Sequence, residues 1–588
     1  MKLNPDLCAF LLVGVASMAG CGNSSPGSSG SGGSGGSVGS GGGTGTGGSA
    51  QGGSGGNSAS GGAGGSPATG GSHGSGGATG SGGASATGGA NGSGGAVATG
   101  GAGGVGGTSG SSGKGGATGG GSGSGGTAGS GSGGSATGGG AGKTGTGGTA
   151  GAGAVATPSF GWTGVIGSGQ SLSVGTTPAN LTTQPYNNLM LALNGATVPG
   201  TGSNPWDPTV AGLTMVPLIE PVRALETAYP SPYPGNIYGE TPHSAMANEI
   251  TRFVKAASAS ADYVTVHTIV GESGQGIVAL VKEAAGADTG TTGRAYAASI
   301  FEAGAITRLA QAAGKSYGVG VVVMTHGETD CSNDTYGASL VQLLSDYNTD
   351  ISAITGQTYK IPMYLSQQHG CPGAPACTAE TDLRPTVNDQ QWQLGVQNKG
   401  DFVCTGPKYQ YPAHSDGDGI HLNVTGYELL GEKTAEIYYQ RAVLGQDWQP
   451  LAPTGVSRSG RVVTVQFHVP VEPLNWDTTF DAPKITAWAN GKGFELFTAT
   501  SSTVASSSTD ITISSVAISG DSVQITASAD LPTSGLYVAY ALTNQGKQSS
   551  NHSKAVRWGQ LRDSDPFMGG TTKQANPNYA VSFSMPVP

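Results

Sequence analysis

The stretch "GVGVVVMTHGETD", residues 318–330, decides the fold expected of this chain. It opens with an unbroken run of β-branched and small apolar residues. Such a run is typical of a central strand that is buried on both faces of a parallel sheet. Polar and acidic residues follow this run.

Segments with helical spacing alternate with short apolar runs on both sides of this strand. "YVTVHTIVG" at 263–271 predicts another buried strand, and the helical patterns cover 295–314, 336–355 and 426–445. Strands that alternate with helices indicate βαβ units and a parallel sheet flanked by helices. We therefore assign an α/β domain to residues 157–447.

The periodicity changes to two after about residue 450. Alternating runs such as "VVTVQFHV" at 462–469, "SVQITASA" at 522–529 and "GLYVAYAL" at 535–542 are separated by Gly, Ser and Asp. This pattern predicts short antiparallel strands. Residues 448–588 are therefore expected to form an accessory β-sandwich.

The first 156 residues carry no pattern of a folded domain. An apolar run precedes "SMAGC" at 17–21, which resembles a bacterial lipoprotein signal with Cys21 as the lipidated residue. Residues 22–156 hold most of the 110 glycines and too few apolar side chains to form a core, so a disordered tether is expected. These features predict an exported protein, lipid-anchored to the cell envelope at the outer membrane or cell surface.

Charge and cysteine content narrow the partners further. The net charge of −10 is spread without a basic stripe, which argues against nucleic acid binding. Export favours disulfides among the four cysteines of the folded region. "CPGAPAC" suggests a local Cys371–Cys377 loop that leaves Cys331 with Cys404, although all three pairings stay open. Their spacing fits no usual zinc pattern, so we predict no metal.

A second segment, "VIGSGQSLSVGTT" at 165–177, places glycines and serines after a short strand. It lacks the lysine of a nucleotide-binding P-loop and the third glycine of a dinucleotide loop. The remaining interpretation is a nucleophilic serine, Ser171, at the end of a parallel strand. A serine nucleophile needs a base and a group that orients the base. "SDGDGIHLNVTGY" at 415–427 offers His421 as the base and Asp418 as its partner.

Other residues of the same types compete for these roles. The competing serines are Ser168, Ser173 and Ser273, and the competing histidines are His243, His267, His369 and His414.

Four segments resemble the successive blocks of the SGNH (GDSL-like) hydrolases, in particular the carbohydrate esterase branch related to acetylxylan esterases and sialate O-acetylesterases. They are "GSGQSLSVG", "VGESGQGI", "MTHGETD" and "DGIHLNVTGY". The resemblance implies a flavodoxin-like three-layer α/β/α sandwich with a parallel sheet. It also implies Ser171, His421 and Asp418 as a catalytic triad.

The resemblance further implies an oxyanion hole formed by the N–H groups of Ser171 and Gly274 and by the side chain of His326. His326 stands where the branch usually has glutamine, so a structural role at the strand end is the alternative. Gln170, Glu328 and Asp330 are expected to support this loop, and two surface carboxylates are the alternative for the acidic pair.

The predicted function is a serine esterase, a carboxylic ester hydrolase that removes O-acyl groups, acetyl above all, from carbohydrate without a cofactor. One alternative is a carbohydrate-binding or adhesion lipoprotein without catalytic activity. Another is a lipase or thioesterase acting on longer acyl chains. The sequence predicts no oligomeric state.

Overall fold

A computed structural model describes residues 155–193, 207–222, 239–283, 292–370, 386–412, 420–479, 486–500, 509–543 and 557–588. All of these residues belong to one compact unit, Ser132–Pro588. The predicted signal peptide and lipidated Cys21 lie outside the described residues, as does nearly all of the predicted tether.

An α/β body comes first in this unit. Its strands are β1 (Trp162–Gly169), β2 (Leu189–Leu193), β3 (Leu213–Pro217), β4 (Val264–Gly271), β5 (Tyr317–Thr325), β6 (Met363–Ser366) and β7 (Phe402–Gly406). Its helices are α1 (Ser171–Val174), α2 (Pro242–Ala257), α3 (Arg294–Ala312), α4 (Tyr336–Thr355), α5 (Thr386–Gln397) and α6 (Val424–Tyr438), with a 3-10 turn at Ile277–Ala279 and a π turn at Tyr439–Val443. Within the described ranges, no helix is long and apolar enough to cross a membrane.

The seven strands form one sheet in the order β3-β2-β4-β1-β5-β6-β7. Every neighbouring pair is parallel except β2 and β3. The run β4-β1-β5-β6-β7 has the 2-1-3-4-5 order of flavodoxin-like sheets, in which the chain changes direction across the sheet beside the first strand. The order reverses between β1 and β5, and the region at their carboxyl ends, where ligands bind in sheets of this order, is called the crevice below. The α/β prediction is confirmed.

Helices cover both faces of the sheet because the central strands are apolar on both sides. Val165 packs with residues of α2 and α6, whereas the adjacent Ile166 packs with residues of α3, α4 and α5. Val321 and Val322 on β5 divide between the same two clusters. Alternate side chains of a strand point to opposite faces, so an unbroken β-branched run fills two cores at once.

The second part of the unit is all-β, as predicted. Its strands are β8 (Ala452–Ser459), β9 (Val462–His468), β10 (Asn475–Trp476), β11 (Phe494–Thr498), β12 (Thr509–Asp510), β13 (Ile513–Ser519), β14 (Ser522–Ala527), β15 (Leu536–Tyr540), β16 (Leu561–Arg562) and β17 (Phe583–Pro586), with a 3-10 turn at Thr486–Trp488. Two four-stranded antiparallel sheets, β12-β11-β15-β17 and β13-β14-β9-β8, enclose one apolar core, and β10 pairs with β16.

The β-sandwich contacts the α/β body through buried polar groups. On α6, Lys433 Nζ lies 3.0 Å from Asp565 Oδ2, and both side chains are almost fully buried. The neighbouring Glu432 accepts hydrogen bonds from the N–H groups of Thr571 and Thr572, at 2.6 and 3.0 Å. The sandwich is therefore held to the final helix of the body by charge-assisted hydrogen bonds.

Candidate active site

Ser171 lies at the carboxyl end of β1, where the strand turns into the short helix α1. Gly169 makes this turn with a φ of +150°, and a Cβ there would come within 2.1 Å of the Thr325 carbonyl oxygen. Glycine therefore lets the end of β1 lie directly against β5. The turn presents Ser171 at the crevice, as predicted from the sequence.

The hydroxyl of Ser171 contacts the imidazole of His421. Ser171 Oγ lies 2.7 Å from His421 Nε2, although 250 residues separate the two in the chain. The segment before α6 therefore places His421, the predicted base, beside Ser171, the predicted nucleophile. Asp418, the predicted partner of His421, lies outside the described residues.

Tyr427 on α6 supports the serine, and the sequence motifs alone assign it no role. Its hydroxyl lies 2.8 Å from Thr176 Oγ1 and 3.4 Å from the Ser171 carbonyl oxygen. Asn423 caps α6 by accepting the Gly426 N–H at 2.9 Å. One end of α6 therefore holds both His421 and the backbone of α1. The one sequence feature that associates Tyr427 with the site is its place at the end of "HLNVTGY", the segment that begins with His421.

Gly274 lies in the turn that follows β4, next to β1. The two strands pair up to Gly169 and Gly271, and the Glu272 N–H donates to the Gly169 carbonyl at 2.9 Å. Gly274 has a φ of +72°, and the space that a Cβ would occupy is open. The turn thus leaves Gly274 exposed beside the end of the serine strand.

Arg294, the first residue of α3, holds the same turn. Its guanidinium forms a two-pronged ion pair with the buried carboxylate of Glu272, with Nη2 2.7 Å from Oε2 and Nε on Oε1. Two parallel charge-assisted bonds fix direction as well as distance. The turn after β4 is therefore anchored to a helix on one side and to β1 on the other.

His326 is fully buried at the end of β5, and both of its ring nitrogens have partners. Nε2 lies 3.0 Å from the Gln275 carbonyl oxygen, which can only accept, so Nε2 carries the proton. Nδ1 then accepts from the Tyr336 hydroxyl at 3.2 Å. Burial lowers the pKa of His326, which favours this neutral form. The predicted oxyanion donor role does not fit these contacts, and the structural alternative does.

Asp330 and Gln170 each accept a hydrogen bond from a neighbouring loop. Asp330 Oδ2 accepts the Ile277 N–H at 2.6 Å, so this carboxylate joins the loop after β5 to the turn after β4. Gln170 Oε1 accepts the Thr329 N–H at 3.4 Å. These contacts link the serine turn, the Gly274 turn and the loop after β5.

Glu328 is fully buried, so the surface-carboxylate alternative is wrong for it. Lys408 Nζ, also fully buried, lies 2.8 Å from Glu328 Oε1, and His369 Nδ1 lies 3.7 Å from the same oxygen. Burial would raise the pKa of Glu328, but Lys408 and His369 outweigh that effect and hold it below its usual range. The sequence shows no signal for Lys408, a single lysine in "GPKYQYP".

Several competing residues are buried. His243 and His267 form a buried pair with their Nδ1 atoms 3.1 Å apart, beneath Gly167, where a Cβ would meet the His243 ring. Burial lowers the pKa of His243 to about 3. Ser168 and Ser173 are also buried. His414 lies outside the described residues.

Cys404 on β7 is a free, buried thiol, so the predicted Cys331–Cys404 pairing is wrong. β7 is the edge strand of the sheet but is buried along its whole length, so Cys404 packs there as a small hydrophobic residue. Burial raises the pKa of this thiol to about 12. Cys371 and Cys377 lie outside the described residues.

Three features meet at the end of β1. The hydroxyl of Ser171 lies within hydrogen-bond distance of His421 Nε2. The backbone N–H of Ser171 begins α1 and has no acceptor within its own helix. The exposed turn at Gly274 lies beside the end of the same strand. Among the described residues, no group of three or more His, Cys, Asp or Glu side chains could hold a metal ion.

No family model and no curated protein matches this chain. Solved structures similar to it include a carbohydrate acetylesterase from Xanthomonas citri, with 13% identity, a TM-score of 0.41 and coverage of 72% of this chain and 80% of that chain. A protein from Arabidopsis thaliana has 15% identity and a TM-score of 0.32 over 48% and 100% of the two chains. NanS has 10% identity and a TM-score of 0.32 over 49% and 98%.

Proposed function

We propose that this chain is a serine esterase of the SGNH type that hydrolyses O-acyl groups, acetyl above all, on carbohydrate. The observation that carries the proposal is the 2.7 Å contact between Ser171 Oγ and His421 Nε2 at the crevice of the sheet. A serine becomes a useful nucleophile when a base within hydrogen-bond reach can take its proton. The four sequence blocks that resemble this superfamily supply the substrate class.

In the first half-reaction, Ser171 Oγ attacks the ester carbonyl carbon while its proton passes to His421 Nε2. The carbonyl π electrons move to oxygen, and the N–H groups of Ser171 and Gly274 stabilise that oxyanion. Collapse of the tetrahedral intermediate breaks the bond to the sugar oxygen, which leaves with the proton from His421. The acyl group is then bound to Ser171.

In the second half-reaction, water attacks the acyl-enzyme and gives its proton to His421. Collapse of the second intermediate returns that proton to Ser171 Oγ and releases the free acid. Asp418 is proposed to accept the His421 Nδ1–H and keep the imidazole in the required tautomer. His326 is assigned no part in the proton transfers, because Gln275 and Tyr336 occupy both of its nitrogens.

We also propose that the protein is exported and anchored to the cell envelope through a lipid on Cys21. The support is the "SMAGC" segment followed by a Gly-rich stretch up to residue 156. A flexible chain of that composition lets a folded body search a volume around its anchor. This would suit an enzyme acting on carbohydrate at the surface.

Hydrolysis of p-nitrophenyl acetate, butyrate and octanoate by the full chain and by Ser171→Ala tests the activity. We expect the acetate ester to be cleaved fastest and Ser171→Ala to lose nearly all activity. An unchanged rate in Ser171→Ala would refute the nucleophile. Rates that rise with chain length would instead support the lipase alternative, and release of acetate from acetylated xylan tests the carbohydrate class.

A further inference from the structure

The loop after β6 connects the β-sandwich to the loops of the candidate site. We propose that the β-sandwich is part of the scaffold that positions the Gly274 turn, and that Gln367 is the positioning residue through which it acts. This inference rests on the proposed function, because it assigns the sandwich a role in the same site.

Gln367 lies immediately after β6 and contacts both parts of the unit. Its Nε2 donates to the Asn388 carbonyl at 2.8 Å and to the Ser582 carbonyl at 2.9 Å, while its Oε1 accepts the Ser582 N–H at 2.8 Å. All three residues are fully buried. The amide therefore pairs with the sandwich backbone in both directions and also holds α5.

The next residues carry this connection to the end of β5. The Gln368 N–H donates to Gln391 Oε1 at 2.9 Å, and Gln391 Nε2 donates to the His326 carbonyl at 2.9 Å. Asn388 Nδ2 donates to the Gln368 carbonyl at 2.7 Å, so α5 holds this segment twice. The backbone of the loop after β5 is thus fixed by a helix that Gln367 itself holds.

His326 completes the connection to the turn after β4. Its Nε2–H donates to the carbonyl of Gln275, the residue that follows Gly274. Hydrogen bonds, joined by short covalent segments of the loop after β6, of α5 and of His326, therefore connect Ser582 in the sandwich to the neighbour of the proposed oxyanion donor. Displacement of a catalytic group by even about 1 Å can lower a rate by about 100-fold.

A second contact holds the same loop from the sandwich side. The Arg557 N–H donates to the His369 carbonyl at 3.0 Å. Ser582 and Arg557 together fix the segment 367–369 at two points, on either side of Gln368. The sandwich is therefore inferred to be an integral part of the catalytic unit and not a detachable binding module.

The test uses the full chain with Gln367→Met, Gln391→Met and the double variant. Gln397→Met is the matched control, because Gln397 lies on the same helix as Gln391 but is exposed. The kcat and KM for p-nitrophenyl acetate are measured, with kcat expressed per active site titrated by a fluorophosphonate. Backbone hydrogen exchange is measured at residues 272–277.

We expect Gln367→Met and Gln391→Met each to lower kcat per titrated site by about 10- to 100-fold with little change in KM. The double variant should be no slower than the slower single variant. Both side chains act through the same series of contacts, so their effects on kcat should not be additive. Exchange at 272–277 should rise in both single variants and stay unchanged in Gln397→Met. If Gln367→Met does not fold, Gln367→Asn, which keeps the amide on a shorter side chain, should change kcat and exchange in the same directions.

A wild-type kcat per titrated site in Gln367→Met would overturn the inference, since only the folded fraction would then have changed. Fully additive losses in the double variant, or unchanged exchange at 272–277, would overturn it as well. If the wild-type chain hydrolyses no ester, the proposed function fails, and the exchange measurement alone decides whether the sandwich holds this turn.

Discussion

Ser171 Oγ and His421 Nε2 lie 2.7 Å apart because two distant elements end at the same point of the fold. Ser171 follows β1, and His421 precedes α6, the helix that packs on α2 across one face of the sheet. The hydroxyl of Tyr427 then ties α6 to the backbone of α1. The geometry of this pair is therefore a property of the whole α/β body.

Replacing His421 removes the proposed base. We expect His421→Ala to lower kcat for p-nitrophenyl acetate by about 10²- to 10⁴-fold, the usual contribution of a general base. The stability should change little, since His421 is only partly buried. Steady-state kinetics alongside thermal unfolding checks both statements.

Ser173→Ala is the matched control for the nucleophile, because Ser173 lies on the same short helix and its buried hydroxyl has no hydrogen-bond partner among the described residues. This variant should keep wild-type kcat. Loss of activity in Ser173→Ala with activity retained in Ser171→Ala would reverse the assignment of the nucleophile.

Gly274 and Gly356 form a natural pair for testing the oxyanion turn. Their φ angles are +72° and +71°, and the Cβ position is open at both, so alanine strains both backbones equally. Each variant should lose about 1–2 kcal/mol of stability. Only Gly274→Ala should also lower kcat, by about 10- to 100-fold, because only its N–H is proposed to meet the oxyanion.

Equal kcat values in the two variants, measured at matched folded fractions by denaturant unfolding, would exclude Gly274 from the oxyanion hole. Gly356 follows the last residue of α4, and its N–H donates to the Ser352 carbonyl of that helix.

Neutralising one member of the buried Glu328–Lys408 pair should lower the free energy of unfolding much more than neutralising both. Lys408→Met leaves a buried carboxylate without its cation and should cost about 3–5 kcal/mol in the free energy of unfolding. Glu328→Gln combined with Lys408→Met removes both charges and should recover most of that loss. Urea unfolding of the three proteins tests this, and a Lys408→Met variant as stable as wild type would contradict it.

Glu220 and Glu240 should make stability depend on pH. Burial raises the pKa of Glu220 to about 7, and burial together with the nearby Glu220 charge raises the pKa of Glu240 to about 8, from 4.5 for an ordinary glutamate. The folded state therefore holds protons that the unfolded chain has released. Their contribution to stability is complete below about pH 4.5 and is lost as pH rises through 7 to 8.

Melting temperatures of wild type and Glu220→Gln, compared at about pH 5 and about pH 8, measure this effect. The fall in melting temperature between the two pH values should be smaller in Glu220→Gln. An equal fall in both proteins would show that these carboxyl groups are not the cause.

The parallel sheet could be predicted because its strands are strongly patterned. The runs around Val165 and Val321 are apolar on both faces, and glycines mark the end of β1, so strand identity and the position of Ser171 follow from local chemistry. The edge of the sheet formed by β2 and β3 is harder to predict from the sequence. β3, Leu213–Pro217, is a short half-buried strand whose pairing with β2 is antiparallel, and its five residues carry no clear period.

The parts of the site that sequence reasoning missed depend on partners from other elements. Its place in a motif predicts a donor role for His326, but Tyr336 and Gln275 decide which ring nitrogen carries the proton and which acceptor that N–H reaches. Lys408 becomes interpretable only when β7 places it beside Glu328. Motif spacing can name a residue such as His326, whereas its hydrogen-bond partners come from tertiary packing.

The most direct test of the central claim is to locate the site of covalent modification by a fluorophosphonate. The chain is labelled, digested and mapped by mass spectrometry, with His421→Ala treated in parallel. We predict a single adduct on Ser171 that forms far more slowly in His421→Ala. An adduct on another serine, or equal labelling of Ser171 in both proteins, would contradict a nucleophile at Ser171 activated by His421.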